Sequence, residues 1–118
     1  MQKFRELYFY DEDFVLFLNC QPLVIRKKFN KIFKFIQEID RVPINYFKKI
    51  QNSKGLYEIR ISLGTNIWRV FCFFEANRIV VVLNGYLKKE MRTSPREIEK
   101  AIKLMNRYYE EKKMKSHS

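Results

Sequence analysis

One histidine, two cysteines, three glycines and three prolines are spread over 118 residues. Each shortage excludes something. The lone His117, set in a Lys-Ser-His-Ser ending expected to be disordered, cannot anchor a Ser/His/Asp triad or a set of histidine metal ligands. Cys20 and Cys72 make no disulfide framework and cannot close a zinc site by themselves, which points to a reduced, cytoplasmic protein. So few glycines and prolines leave no room for long flexible linkers. Neither a P-loop nor a dinucleotide-binding glycine loop is present. The apolar run Ile79–Leu83 stops at Asn84, far short of a membrane span. The opening Met1–Tyr10 mixes charges with aromatics, unlike a signal peptide.

What is plentiful is aromatic and cationic. Apolar residues make up 47% of the chain and aromatics 16%, enough for one core at this length. The formal net charge is +11. A small domain this basic meets a polyanion or an acidic protein, and nucleic acid is the first candidate.

Periodicity divides the chain into seven elements. Residues 3–10 read as an aromatic-rich strand. Asp11-Glu12-Asp13 can cap a short helix over Phe14, Phe17 and Leu18. After Pro22, the residues Ile25, Phe29, Ile32, Phe33, Ile36 and Ile39 recur at helical spacing, with Arg26, Lys27, Lys28, Lys31 and Lys34 opposite. Pro43 ends that pattern, and residues 44–55 read as irregular and basic, with Lys48, Lys49 and Lys54. Three strands follow at Leu56–Leu63, Ile67–Glu75 and Arg78–Leu87, spaced closely enough for an antiparallel meander. Ser94-Pro95-Arg96-Glu97 is a capping box that starts a last helix, with Ile98, Ala101, Ile102, Met105 and Tyr109 on one face. From Glu110 the chain is charged and expected to fray. The domain is thus read as 1–111, with 112–118 a basic disordered tail. The fold class is α+β: an antiparallel sheet with two N-terminal helices on one face and a C-terminal helix, in all a sheet with helices on one side.

Strand parity then locates a candidate site. Tyr57, Ile59, Ile61 and Leu63 point one way, and Glu58, Arg60 and Ser62 the other. Arg69 lies early in the next strand, and Asn84, Tyr86 and Lys88 share a face of the third. Pairing of these strands would gather Glu58, Arg60, Arg69, Asn84, Tyr86 and Lys88 on one cationic surface with an aromatic beside it. Cations hold phosphates and aromatic faces stack bases. The plainer reading is a solvated basic face with Glu58–Arg60 as an ordinary surface ion pair.

The runs Gly55-Leu56-Tyr57-Glu58-Ile59-Arg60-Ile61 and Trp68-Arg69-Val70-Phe71-Cys72-Phe73-Phe74 resemble the sheet signature of the RelE/ParE toxin superfamily. Leu83-Asn84-Gly85-Tyr86-Leu87-Lys88-Lys89 and the Ser94–Lys100 helix start resemble its phage-derived HigB-like branch, and the likeness runs from about residue 4 to 110. The resemblance implies a small RelE-like α+β fold and the toxin of a type II toxin–antitoxin system. It implies a cytoplasmic mRNA endoribonuclease, with or without the ribosome, that needs no metal or other cofactor and arrests growth. Its partner would be a cognate antitoxin, expected to carry a helix-turn-helix. Carried over by position, Arg69 matches the phosphate-contacting arginine and Arg60 a basic position in the preceding strand. Lys88 and Lys89 match the branch's lysine pair. Glu58 stands where these nucleases often have a lysine, and Asn84 where HigB-like relatives commonly have histidine. The expected catalytic set is Arg60, Arg69, Lys88 and Glu58, with Glu58 as a candidate base. Lys89, Tyr86, Lys54, Asn84 and Arg92 are the expected RNA contacts. Two other readings stay open: a ParE-like poison of DNA gyrase, and a non-catalytic basic module that binds RNA or a partner.

Overall fold

In the computed structural model, which describes residues 3–89 and 92–116, the chain runs β1 (Glu6–Phe9), α1 (Glu12–Asn19), α2 (Leu23–Glu38), β2 (Phe47–Lys49), β3 (Leu56–Leu63), β4 (Asn66–Glu75), β5 (Ile79–Lys88) and α3 (Pro95–Ser116). Every expected element is present. The α1 start differs in detail: Asp11 makes no side-chain cap bond, so Glu12 and Asp13 act on the first turn through the helix dipole. Among the described residues no helix is long and apolar enough to cross a membrane.

The sheet order is β1-β5-β4-β3-β2. The β2 to β5 segment is the expected antiparallel meander, whereas β1 runs parallel to β5, so the sheet is mixed. The strand β2 is an addition to the sequence reading. Three residues without period-two patterning gave no signal, yet the edge of β3 captures them, with Lys48 opposite Glu58.

Alternation sorts the side chains to two faces. Ile59 and Ile61 of β3, Trp68, Val70 and Cys72 of β4, and Val80 and Val82 of β5 pack against Phe14 of α1 and Phe29, Ile32, Phe33 and Ile36 of α2. The Phe29 ring meets Trp68 edge-on at 6.0 Å. Leu56, Phe71, Phe73, Val81 and Leu83 pack instead with Ala101, Leu104 and Met105 of α3. Thus α3 lies on the opposite face from α1 and α2, and the sheet is a middle layer. The cause is visible in β4 and β5, whose central residues are apolar on both faces and need cover on both.

A β-bulge in β5 decides where the polar residues go. Val70 pairs with Gly85, but Cys72 pairs with Val82, so Leu83 and Asn84 share the place opposite Phe71. The extra residue lets Asn84, Tyr86 and Lys88 continue on the same face as Val81 and Leu83. Gly85 then faces α1. A Cβ there would stand 2.6 Å from the Phe14 ring, so only glycine admits this packing.

The C-terminal helix extends past Glu110. It stays helical to Ser116, because Tyr108 and Lys112 both donate hydrogen bonds to Glu75 at the end of β4. Charged side chains anchor this stretch, which a search for apolar periodicity overlooks. His117 and Ser118 lie outside the described residues.

Candidate functional site

The pairing register builds one cross-strand row. Arg60 of β3 faces Arg69 of β4, which faces Tyr86 of β5. On one side of the row stand Glu58 and its edge partner Lys48. On the other, Lys88 pairs with Ile67. These side chains share the α3 side of the sheet, where the apolar cover by α3 ends and its first turn begins.

Arg69 is the best held. It is 5% exposed, and its Nη1 donates to Glu58 Oε2 at 2.7 Å, with Glu58 itself 2% exposed. The same Nη1 donates to Thr93 Oγ1 in the segment leading to α3. Glu58 therefore pairs with Arg69 and not with Arg60. A buried carboxylate bonded this way positions the guanidinium. The Nε–H groups of Arg60 and Arg69 are buried without an acceptor, an uncommon state for a buried donor.

Lys88 is half-buried at the end of the row. Its pKa is lowered, first by desolvation, then by the Arg69 and Arg60 cations, with Glu58 opposing and Lys48 adding to the effect. Beyond it the surface sinks into a depression of about 490 Å³ bordered by Tyr86, Lys88, Lys89, Arg92, Arg96 and Glu97. Four of the expected RNA-contact and catalytic residues thus meet at one hollow.

Tyr86 has a structural duty as well. Its hydroxyl accepts the Ser94 backbone N–H at 3.2 Å, and its ring lies 6.0 Å from Phe71. Ser94 Oγ accepts the Glu97 N–H at 3.4 Å, the expected first half of the capping box. The second half, Glu97 to the Ser94 N–H, is replaced by Tyr86.

Two expected residues sit elsewhere. Asn84, at the bulge, is 2% exposed and donates through Nδ2 to the Glu97 carbonyl at 3.1 Å and to Glu97 Oε2 at 3.3 Å. It ties β5 to the first turn of α3 from beneath. Lys54 precedes β3, in a turn where its φ is +62°, six residues before Arg60. At about 3.3 Å per extended residue, the span to Arg60 is at most roughly 20 Å, directed away from the row along β3. In turn, Lys48, Thr93 and Arg96 belong to the site and were not foreseen. Lys48 lies on the strand the sequence did not reveal. Arg96 was legible only as part of a helix start, and Thr93 had no motif at all.

Cys20 is exposed and Cys72 buried, both free, and burial pushes the Cys72 thiol up. Among the described residues no group of three or more His, Cys, Asp or Glu side chains is arranged to hold a metal ion.

Among curated proteins none matches the chain. The family model described as "Phage derived protein Gp49-like (DUF891)" matches residues 16–106, from α1 through most of α3, and so takes in the whole cationic row and the hollow beside it. The chain belongs to this Gp49-like phage-derived family, a RelE-like toxin–antitoxin family whose members imply an antitoxin partner.

Proposed function

We propose that this protein is the toxin of a type II toxin–antitoxin pair, of the HigB-like branch, and that it cuts RNA in the cytoplasm without a metal. The observation that carries the reading is the row Arg60–Arg69–Tyr86 ending on a lysine of lowered pKa. An RNA phosphodiester set against this row would receive charge from two guanidinium groups.

In the proposed reaction the ribose 2′-oxygen bonds to the adjacent phosphorus and the P–O5′ bond breaks. The 2′-hydroxyl proton passes to solvent. Arg60 and Arg69 stabilise the charge gathering on the phosphoryl oxygens. Lys88, whose ammonium gives up its proton more readily than an ordinary lysine, protonates the departing O5′. Glu58 and Thr93 hold Arg69 in place. Lys48, Lys89, Arg92 and Arg96 guide the flanking phosphates. Products are a 2′,3′-cyclic phosphate and a 5′-hydroxyl. The same surface, closed by an antitoxin bearing a helix-turn-helix, would be silenced by occlusion and charge neutralisation.

The test is incubation of purified protein, with and without ribosomes, with a defined mRNA. End analysis should find cyclic phosphate at discrete cuts, insensitive to a chelator and absent with Arg60→Ala. Growth arrest without RNA cuts, together with inhibition of DNA gyrase, would replace this reading with that of a gyrase poison.

A further inference from the structure

Glu97 lies in the first turn of α3, where a carboxylate suits the helix dipole, yet it does not make the capping bond its position allows. In a capping box, the glutamate three residues after the serine reaches back to the serine N–H. Here Tyr86 accepts that N–H, so Glu97 is released from the task. Its Oε2 instead accepts from Asn84 Nδ2 at 3.3 Å, which fixes the side chain, and no hydrogen bond to its Oε1 occurs among the described residues. The result is one fixed carboxylate in a hollow whose other charged lining residues are Lys88, Lys89, Arg92 and Arg96. Cations there explain phosphate binding. A carboxylate among them weakens phosphate binding and calls for another ligand group, one made of donors.

Resting on the RNA-cleaving reading above, we propose that Glu97 is a specificity-determining residue that reads the base beside the bound phosphate, and that this base is guanine. Single-stranded RNA is read on the Watson–Crick edges of unstacked bases. Guanine presents two adjacent donors on that edge, N1–H and the N2 amino group, which match the two oxygens of a carboxylate. Adenine and cytosine present a donor beside an acceptor, and the acceptor faces repulsion. Uracil has one donor between two acceptors. An ionised carboxylate accepts only, so it discriminates in this direction and no other. The Arg96 guanidinium at the rim offers a plane on which the base can stack.

The experiment uses short oligouridines with one central guanosine, adenosine, cytidine or inosine, and reads both anisotropy and cleavage with the whole protein. Wild type should prefer guanosine by about tenfold, near the low end of what one bidentate base contact gives, with inosine between because it keeps N1–H and lacks the amino group. Glu97→Gln, which keeps the shape and can still bond to Asn84, should lose the guanosine preference while binding all oligonucleotides at least as well. Arg96→Ala should lower affinity for every oligonucleotide and leave the order unchanged. An unaltered order in Glu97→Gln overturns the assignment, as does equal binding of all four bases by wild type. In both cases cleavage by wild type and its loss in Arg60→Ala would leave the ribonuclease reading standing. Absence of binding and cleavage for every oligonucleotide, and for mRNA on the ribosome, overturns both readings. A matching thermal melt for Glu97→Gln and wild type separates loss of reading from loss of fold.

Discussion

The two ends of α3 treat charge in opposite ways. At its C-terminal end, Glu75 receives hydrogen bonds from both Tyr108 and Lys112, and Tyr10 contacts both Arg107 and Glu111. Each of these four charged side chains, Glu75, Arg107, Glu111 and Lys112, has a partner. At its N-terminal end Arg60, Arg69, Lys88, Lys48, Lys89 and Arg96 share the buried carboxylate of Glu58 and the rim carboxylate of Glu97. The pKa directions follow. Glu75 is lowered, chiefly by its bond from Lys112, which is what an ionised group with good partners does. Lys88 is lowered, first by desolvation and then by the neighbouring Arg69 and Arg60 cations. One end spends its charges on stability. The other keeps a surplus that an anion can relieve.

The sharpest way to break this contrast is within the cationic end, where one arginine is structural. Arg69→Ala leaves Glu58 buried and unpaired and should destabilise the fold by about 3–5 kcal/mol. Urea denaturation would measure it, and replacing both partners by Arg69→Met with Glu58→Leu should recover most of the loss. Parity gave the correct face and could not tell that α3 and Thr93 cover Arg69.

Next in size are the groups with surplus charge. Arg60→Ala and Lys88→Ala should each slow RNA cleavage on the order of a hundredfold, with melting temperature nearly unchanged. Steady-state cleavage beside a thermal melt separates these outcomes, and a fall in melting temperature matching that of Arg69→Ala would erase the contrast. The pH profile carries a sign as well. Lys88 acts as the ammonium, and its pKa is lowered from 10.5, so cleavage should decline on an alkaline limb that begins below the ordinary lysine range. Lys88→Ala should lose that limb.

At the paired end the effects are smaller. Glu75→Gln should cost about 1 kcal/mol near neutral pH, since Lys112 is half in solvent. The folded pKa of Glu75 lies below its ordinary 4.5, so its contribution is complete above that value and is lost as pH falls through the folded pKa. Wild type and variant should therefore converge in stability in acid, below 4.5, and a difference that persists there would mean that Glu75 acts through packing. Smallest of all is Lys54→Ala. Its distance from the row predicts a stability change within about 0.5 kcal/mol and no loss of cleavage, even though it removes a cation from the same face of the sequence.

Much of this was legible in the sequence. Periodicity found α2 and α3 because each buries a continuous apolar stripe. Alternation in β3 sorted Arg60 from Ile59 and Ile61 because a strand has only two faces. The parts that escaped share a physical character: each depends on a partner distant in sequence. Three-residue β2 exists because β3 offers it an edge. The bulge at Leu83 and Asn84 is a mismatch between two strands and belongs to neither alone. The persistence of α3 beyond Glu110 depends on Glu75, and the fate of the Ser94 capping box depends on Tyr86. Asn84 was expected among the RNA contacts because it shares parity with Tyr86, but the bulge and Glu97 bury it.

The pairing of β1 with β5 has a consequence for when the cationic row is complete. Glu6 lies against Ile79, more than seventy residues later. The sheet cannot close, and α3 cannot cover it, until nearly the whole chain has been synthesised. Contacts of such long sequence separation slow folding, because loop-closure entropy is lost before the contact is gained. A nascent chain thus holds Arg60 and Arg69 before Tyr86 can stand beside them or Thr93 can bond to Arg69. The topology sets completion of the site near the end of folding, after the last strand and α3 are in place.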